Sequence, residues 1–278
     1  MNYRHAFHAG NFADVFKHAL LARMLIYLTR KDAPLHFIDT HAGIGLYDLA
    51  GAEAARSGEW RGGIARMAAV PDGPARDLLQ PYLDAVGGLD GQGRPVLYPG
   101  SPALAQALLR PQDRMSLCEL HPGDAQMLAQ NMGRDRRAKV IEADGYAALN
   151  ALVPPRERRG LVLVDPPFEA HDEFARMLAA LLRAQRKWRE GVFALWYPVK
   201  DAAAGEFAGH LATSGLRRIL RLQLRIGDGS GPGLQACGLI VINPPFALEA
   251  EAALILPALA RAMGAGGGGF GVDWLAGE

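Results

Sequence analysis

The stretch LVLVDPPFEAHDEFARMLAALLRAQRKWREGVFALWYP, residues 161–198, holds a complete structural unit. Its four leading apolar residues, Leu161 to Val164, read as a strand buried on both faces. Asp165, Pro166, Pro167 and Phe168 end that strand, because proline has no N–H for a ladder and its φ is held at roughly −65°. Residues 171–188 then place apolar side chains at helical spacing, and GVFALWYP reads as a second strand. Strand, helix and strand in this order form a parallel crossover.

Working outward, the same alternation continues. Residues 13–29 read as a helix and 35–45, LHFIDTHAGIG, as a short buried strand entering a glycine turn. SLCEL, AKVIEAD and the two strands above alternate with the helices HPGDAQMLAQNM, GYAALNAL and AGEFAGHLATSG. RILRLQLRI and CGLIVIN close the pattern as a strand pair, one of them antiparallel, joined by the glycine-rich loop GDGSGPG. The expected fold is α/β and Rossmann-like: a mostly parallel, twisted, doubly wound sheet with helices on both faces. Between 47 and 94 the text turns rich in Ala, Gly and Arg with helical periodicity and no strong strand. This predicts a small helical subdomain inserted into a domain formed by 1–46 and 95–278. GAGGGG, 264–269, reads as a flexible turn.

With 278 residues, half of them hydrophobic and a net charge of +1, the chain suits one large domain and does not hold nucleic acid by bulk charge. Cys118 and Cys237 lie in apolar stretches and read as buried thiols. No apolar leader opens the sequence and no run reaches membrane-spanning length, so a cytoplasmic protein is expected.

Two segments carry chemistry. Asp39 to Gly45, DTHAGIG, falls at a strand's carboxyl end, where open α/β sheets bind ligands, and Gly43 lets the backbone approach one closely. A third glycine at dinucleotide spacing is missing. Glu119 and Asp144 end the next two strands; the first suits ribose hydroxyls, and the second, before Gly145, suits an adenine amine. Together they describe a nucleoside pocket without a phosphate cradle. In the second segment, Asp165 and the carbonyl of Pro166 offer two adjacent acceptors for a planar amino group such as N6 of adenine, with Phe168 free to stack on the ring. Hydrogen bonds to both amino protons return electron density to a nitrogen that is otherwise a poor nucleophile. A sulfonium methyl is the fitting electrophile, and Asp165 the fitting acceptor of the released proton. The similar phrase Asn243-Pro244-Pro245-Phe246 closes the last strand of the pattern, beyond the cofactor elements, and reads as structural.

These motifs resemble those of S-adenosylmethionine-dependent amino-methyltransferases acting on adenine. YRHAFHAGNFADVFKH (3–18), PGSP (99–102), ELHP (119–122), ADG (143–145), DPPFE (165–169), ALWYPV (194–199) and INPP (242–245) look like the bacterial 23S rRNA adenine-N6 methyltransferase J family, over nearly the whole chain. The resemblance implies a Rossmann-like class I methyltransferase with a small helical insert, transferring methyl from S-adenosylmethionine to N6 of adenine 2030 in 23S ribosomal RNA. It implies cofactor contacts at His18, His41, Ser101, Glu119, Asp144, Gly145 and Asp165, with Lys17 beside the same cleft. It also makes Asp165 the proton acceptor and Tyr3 an RNA contact. The family's commoner tyrosine after D-P-P is Phe168 here, which keeps stacking and removes a phenol.

The alternatives are adenine in DNA, a glutamine amide in protein, a non-catalytic rRNA-binding assembly factor and a nicotinamide dehydrogenase, the last opposed by the missing glycine. His5, His8 and His18 lack metal-ligand spacing, so no metal is expected. Basic clusters at Arg134/Arg136/Arg137/Lys139, Arg156/Arg158/Arg159 and Arg183/Arg186/Lys187/Arg189 are candidates for RNA phosphates. A monomer is expected.

Overall fold

The apolar strands assemble into one eight-stranded sheet because each has two faces to bury. The computed structural model describes residues 4–87, 95–227, 233–264 and 267–277. In chain order the strands are β1 (His36–Asp39), β2 (Leu46–Asp48), β3 (Leu97–Pro99), β4 (Arg114–Glu119), β5 (Ala138–Glu142), β6 (Gly160–Val164), β7 (Val192–Pro198), β8 (Ile219–Arg225), β9 (Ala236–Ile242) and β10 (Gly269–Ala276). The helices are α1 (Phe12–Thr29), α2 (Ala52–Ser57), α3 (Pro74–Val86), α4 (Ser101–Leu108), α5 (Pro122–Met132), α6 (Gly145–Leu152), α7 (Glu173–Lys187), α8 (Ala202–Ala212) and α9 (Leu248–Met263). The sheet order is β10-β8-β9-β7-β6-β1-β4-β5, with β5, β4, β1, β6 and β7 mutually parallel. β9 runs antiparallel to both β7 and β8.

Alternation along a strand feeds two separate cores. Leu161 and Leu163 join one and Val162 and Val164 the other, and Leu239 and Ile240 divide in the same way. That is why the run 161–164 is apolar throughout. α1, α4, α5 and α9 contribute to the first core, whereas α6, α7 and α8 contribute to the second. α1 begins where the Asn11 side chain accepts from the Asp14 N–H at 3.0 Å, an N-cap that meets one orphan donor. Chain order reverses at β1: the path runs to β4 and β5 on one side, then returns to β6 and β7 on the other. A switch point of this kind opens a crevice at the carboxyl ends of the strands.

Three features depart from the sequence reading. The strand pattern assigns no helix or strand after residue 243, yet α9 and the edge strand β10 follow, β10 pairing antiparallel with β8. α9 tolerates Pro257 inside it, and its face of Ile255, Leu256 and Leu259 is fully buried. Gly269, read as part of a flexible turn, is instead the first residue of β10. The segment around 47–94 is helical over α2 and α3, with 3₁₀ turns at Glu59–Arg61 and Ile64–Ala69. The sequence predicts no ribbon there, but β2 and β3 pair antiparallel at its two ends. The loop read at 227–233 lies outside the described residues except for Gly227 and Gly233.

Candidate active site

α1 is buried on nearly every side, yet it carries Asp14, Lys17 and His18 inside the protein. A buried charge persists only when paired, and these are. Lys17 Nζ lies 3.0 Å from Asp14 Oδ1 and forms a second ion pair with Asp165 Oδ2. His5 Nε2 and the Gly10 N–H each reach Asp14 Oδ2 at 3.0 Å. Burial alone would lower the Lys17 pKa, but Asp14 and Asp165 outweigh it and hold the ammonium well above the ordinary lysine value. Burial would likewise raise Asp14, and His5 and Lys17 instead hold its carboxyl well below the usual range.

His18, one position on, is a neutral imidazole. Burial and the neighbouring Lys17 charge push its pKa down to about 3. Its Nδ1 meets the Tyr98 hydroxyl at 2.7 Å, while Nε2 is buried without a hydrogen-bond partner among the described residues.

The strand ends supply the opposite wall. Gly43 and Gly45 have φ of +59° and +78°, the left-handed region where a Cβ is strained. This turn directs the Gly43 N–H to Glu119 Oε2 at 2.9 Å, and the His121 N–H meets Oε1 at 2.8 Å. Asp144 caps α6 through the Ala147 N–H at 2.9 Å and pairs with Arg176 at 3.2 Å. Gly145 passes so close to β1 that a Cβ there would collide with the Thr40 carbonyl oxygen. His41 packs edge-on against Tyr146, and burial pushes its pKa down to about 4.

At the end of β6, Phe168 has φ of +52°. An aromatic residue in the left-handed region is held there by its surroundings. Its ring meets Phe174 and Trp196 edge-on, with centroids 4.9 and 5.9 Å away. Asp165 Oδ1 and the Pro166 carbonyl accept no hydrogen bond from the described residues.

One cavity of about 820 Å³ gathers these groups: Lys17, His18, His41, Gly43, Ser101, Glu119, Asp144, Gly145, Asp165, Pro166 and Phe168 all line it. Asp39 does not. It is fully buried beneath the turn, where its carboxyl accepts from the His41 N–H at 3.2 Å. Burial pushes its pKa up to about 7, against the Ser101 hydroxyl and the His41 N–H, which favour its charge. The last residue of β1 therefore braces the turn from below. Tyr3 lies outside the described residues.

Sequence reasoning passes over Asp14, Trp196 and Arg176. For Asp14 a signal exists, because Asp14, Lys17 and His18 share one face of a largely apolar helix at i, i+3 and i+4. For Trp196 none does: a tryptophan in a strand reads as core. Asn243 follows the carboxyl end of the antiparallel strand β9, where its amide donates to the carbonyls of Arg189 and Gly191 at 2.7 and 2.9 Å. It ties two corners together and is not among the residues lining the cleft. Among the described residues no group of three or more His, Cys, Asp or Glu is placed to hold a metal ion, and no helix is long and apolar enough to cross a membrane.

Comparison with known proteins agrees with this architecture. A family model described as ribosomal RNA large subunit methyltransferase D, RlmJ, matches residues 32–276. The chain is 40% identical over 281 residues to ribosomal RNA large subunit methyltransferase J of Escherichia coli K12, and 38% identical over 283 residues to the protein of that name in Haemophilus influenzae. Both alignments cover 100% of each chain. The crystal structure of protein LPL1258 from Legionella pneumophila is 34% identical, superimposes with a TM-score of 0.87, and is matched over 96% of this chain and 98% of its own. The wound sheet, the cleft at its switch point and these full-length matches together make this chain a member of the RlmJ family of ribosomal RNA large subunit methyltransferases.

Proposed function

We propose that this methyltransferase moves a methyl group from S-adenosylmethionine to N6 of an adenine in 23S ribosomal RNA, adenine 2030 being the specific target. The observation that carries the reading is the meeting, in one cavity, of two unsatisfied acceptors, Asp165 Oδ1 and the Pro166 carbonyl, with a nucleoside-sized set of polar groups. The residues fit the cofactor. His18 Nε2 is a buried polar atom awaiting a partner, Glu119 presents a carboxylate held by two N–H groups, and Ser101, His41, Asp144 and Gly145 complete the wall. When bound, S-adenosylmethionine supplies an electrophilic methyl group.

The chain's own residues do the rest. Asp165 and the Pro166 carbonyl accept hydrogen bonds from the two N6–H groups, turning the amine's electron density toward the methyl. Lys17, anchored by Asp14, holds the Asp165 side chain in place, and Asp165 receives the proton after transfer. Phe168 and Trp196 offer apolar surface to the base. The insert 47–94 forms part of this reading as a subdomain flanking the cleft through Glu59 and Gly62, and Tyr3 as an RNA contact. On the same reading the enzyme is cytoplasmic and monomeric.

Asp165→Ala tests it. Transfer of labelled methyl to 23S rRNA should fall by roughly 10²-fold or more, the scale of a missing proton acceptor, while the cofactor still binds in calorimetry. Undiminished transfer would remove the assignment. Label that survives RNase would point to DNA or protein instead, and RNA binding without any transfer to an assembly factor. Mass spectrometry of rRNA from cells lacking the protein identifies the nucleotide.

A further inference from the structure

We propose that the groove between α6 and α7 holds the ribose–phosphate backbone of the RNA strand whose base enters the cleft; this rests on the rRNA reading above. Arg176, Arg183, Arg186 and Lys187 line a groove of about 750 Å³, with Asp144 as the carboxylate among its lining residues. All four cations come from α7. Spacings of seven and four residues, Arg176 to Arg183 to Lys187, put them along one face, over about 16 Å of helix axis. The adjoining face buries Met177, Ala180, Leu181 and Ala184 against the sheet. Packing explains the apolar face; on the basic one Arg176 pairs with Asp144 and Glu173 and Lys187 Nζ donates to the Asn150 carbonyl at 2.6 Å, which leaves Arg183 and Arg186 without a folding role.

The other basic clusters line neither the groove nor the cleft, and each has an arginine drawn into the fold. Arg137 is engaged by Asp135 and by the carbonyls of Leu109 and Gln106, and Arg159 by those of Ala33 and Leu28. Arg183 and Arg186 make no hydrogen bond or ion pair with the described residues. The groove's carboxylate, Asp144, is already occupied by Arg176 and the Ala147 N–H. The groove is also continuous with the cleft, since Asp144, Tyr146 and Arg176 line both. Arg176 lies over the Tyr146 ring at 5.0 Å, at the junction. A strand that inserts one base into the cleft must carry its flanking phosphates away from the mouth, and this is a positive track leading from it. In a chain of net charge +1, such a concentration of guanidinium groups suits repeated phosphates, which arginine engages in bidentate fashion.

The test is steady-state methylation of an rRNA fragment over a salt series, comparing wild type with Arg183→Glu/Arg186→Glu. The KM for RNA should rise by about tenfold or more, and the dependence of log KM on log salt should flatten by roughly 0.7 for each phosphate no longer neutralised. Turnover at saturating RNA and the affinity for S-adenosylhomocysteine without RNA should stay within about twofold, the groove acting on binding rather than chemistry. Reversing Arg134 and Arg136, both exposed and outside the groove, should leave KM unchanged. If the reversed pair fails to fold, Arg183→Gln/Arg186→Gln should give a smaller rise. Unchanged KM and salt slope would overturn the proposal, as would weakened cofactor affinity without a change in KM. A wild-type enzyme that labels no RNA at all would instead remove the reading on which the proposal rests.

Discussion

At the scale of single residues, the site depends on a buried triad of charge. Lys17 is 6% exposed and serves two carboxylates, Asp14 at 2% and Asp165 at 16%. Removing the cation leaves Asp165 without its ion pair and Asp14 with only His5 and the Gly10 N–H, so Lys17→Met should cost about 3 kcal/mol or more in urea unfolding. Adding Asp14→Asn to that variant should recover part of the loss; a double variant weaker than the single would refute the triad's pairing. Phe168 bears a different constraint. Its φ of +52° costs a side chain roughly 1–2 kcal/mol that glycine does not incur. Phe168→Gly should therefore be about 1 kcal/mol more stable than Phe168→Ala, although glycine is ordinarily the poorer choice. Equal stabilities would show that the left-handed corner relaxes once the ring is gone.

Among elements, the close approach of the α6 entrance to β1 sets the shape of the cleft. Gly145 stands where a Cβ would run into the Thr40 carbonyl, backbone against backbone, with no side chain able to yield. Gly145→Ala should destabilise the fold by about 1–3 kcal/mol and also weaken cofactor binding, because the Asp144 cap moves with it. Thermal unfolding together with calorimetric titration of S-adenosylhomocysteine reads both, and a variant that loses neither would show that the corner has slack. The same closeness explains Asp39. β1 ends under the turn, so its terminal carboxylate faces Ser101 and a backbone N–H rather than the cavity.

Over the whole molecule, buried titratable groups make stability depend on pH in a direction that can be worked out. His18 and His41 have folded pKa values of about 3 and about 4, below the ordinary histidine value. The unfolded chain therefore takes up their protons first, and stability falls as pH drops below roughly 6.5. Asp39, held at about 7, works the other way, since the native state binds its proton before the unfolded chain does. Between pH 6 and 5 two imidazoles oppose one carboxyl, so the native state should lose about 1.4 kcal/mol over that unit. Asp39→Asn should steepen the slope toward twice that value. Urea titrations at each pH measure it, and a flat profile would contradict the burial of these imidazoles. Much of this architecture is legible in the chain. The run 161–164 had to be buried on both faces, glycines had to occupy the turn at 43–45, and prolines had to end a strand at 166 and 167, because these follow from hydrophobic periodicity and backbone sterics, which are local. α9 and β10 escape such a reading because the strand pattern looks complete at Asn243. The sequence by itself determined the wound sheet, its family likeness and the acceptors at Asp165 and Pro166. Only the tertiary structure decided that Asp14 anchors Lys17 across to Asp165, that Asp39 braces the cleft from beneath it, and that the α7 arginines face a groove joined to the cleft. Each of those depends on which distant elements meet, and side-chain pairing over more than a hundred residues leaves no period in the chain.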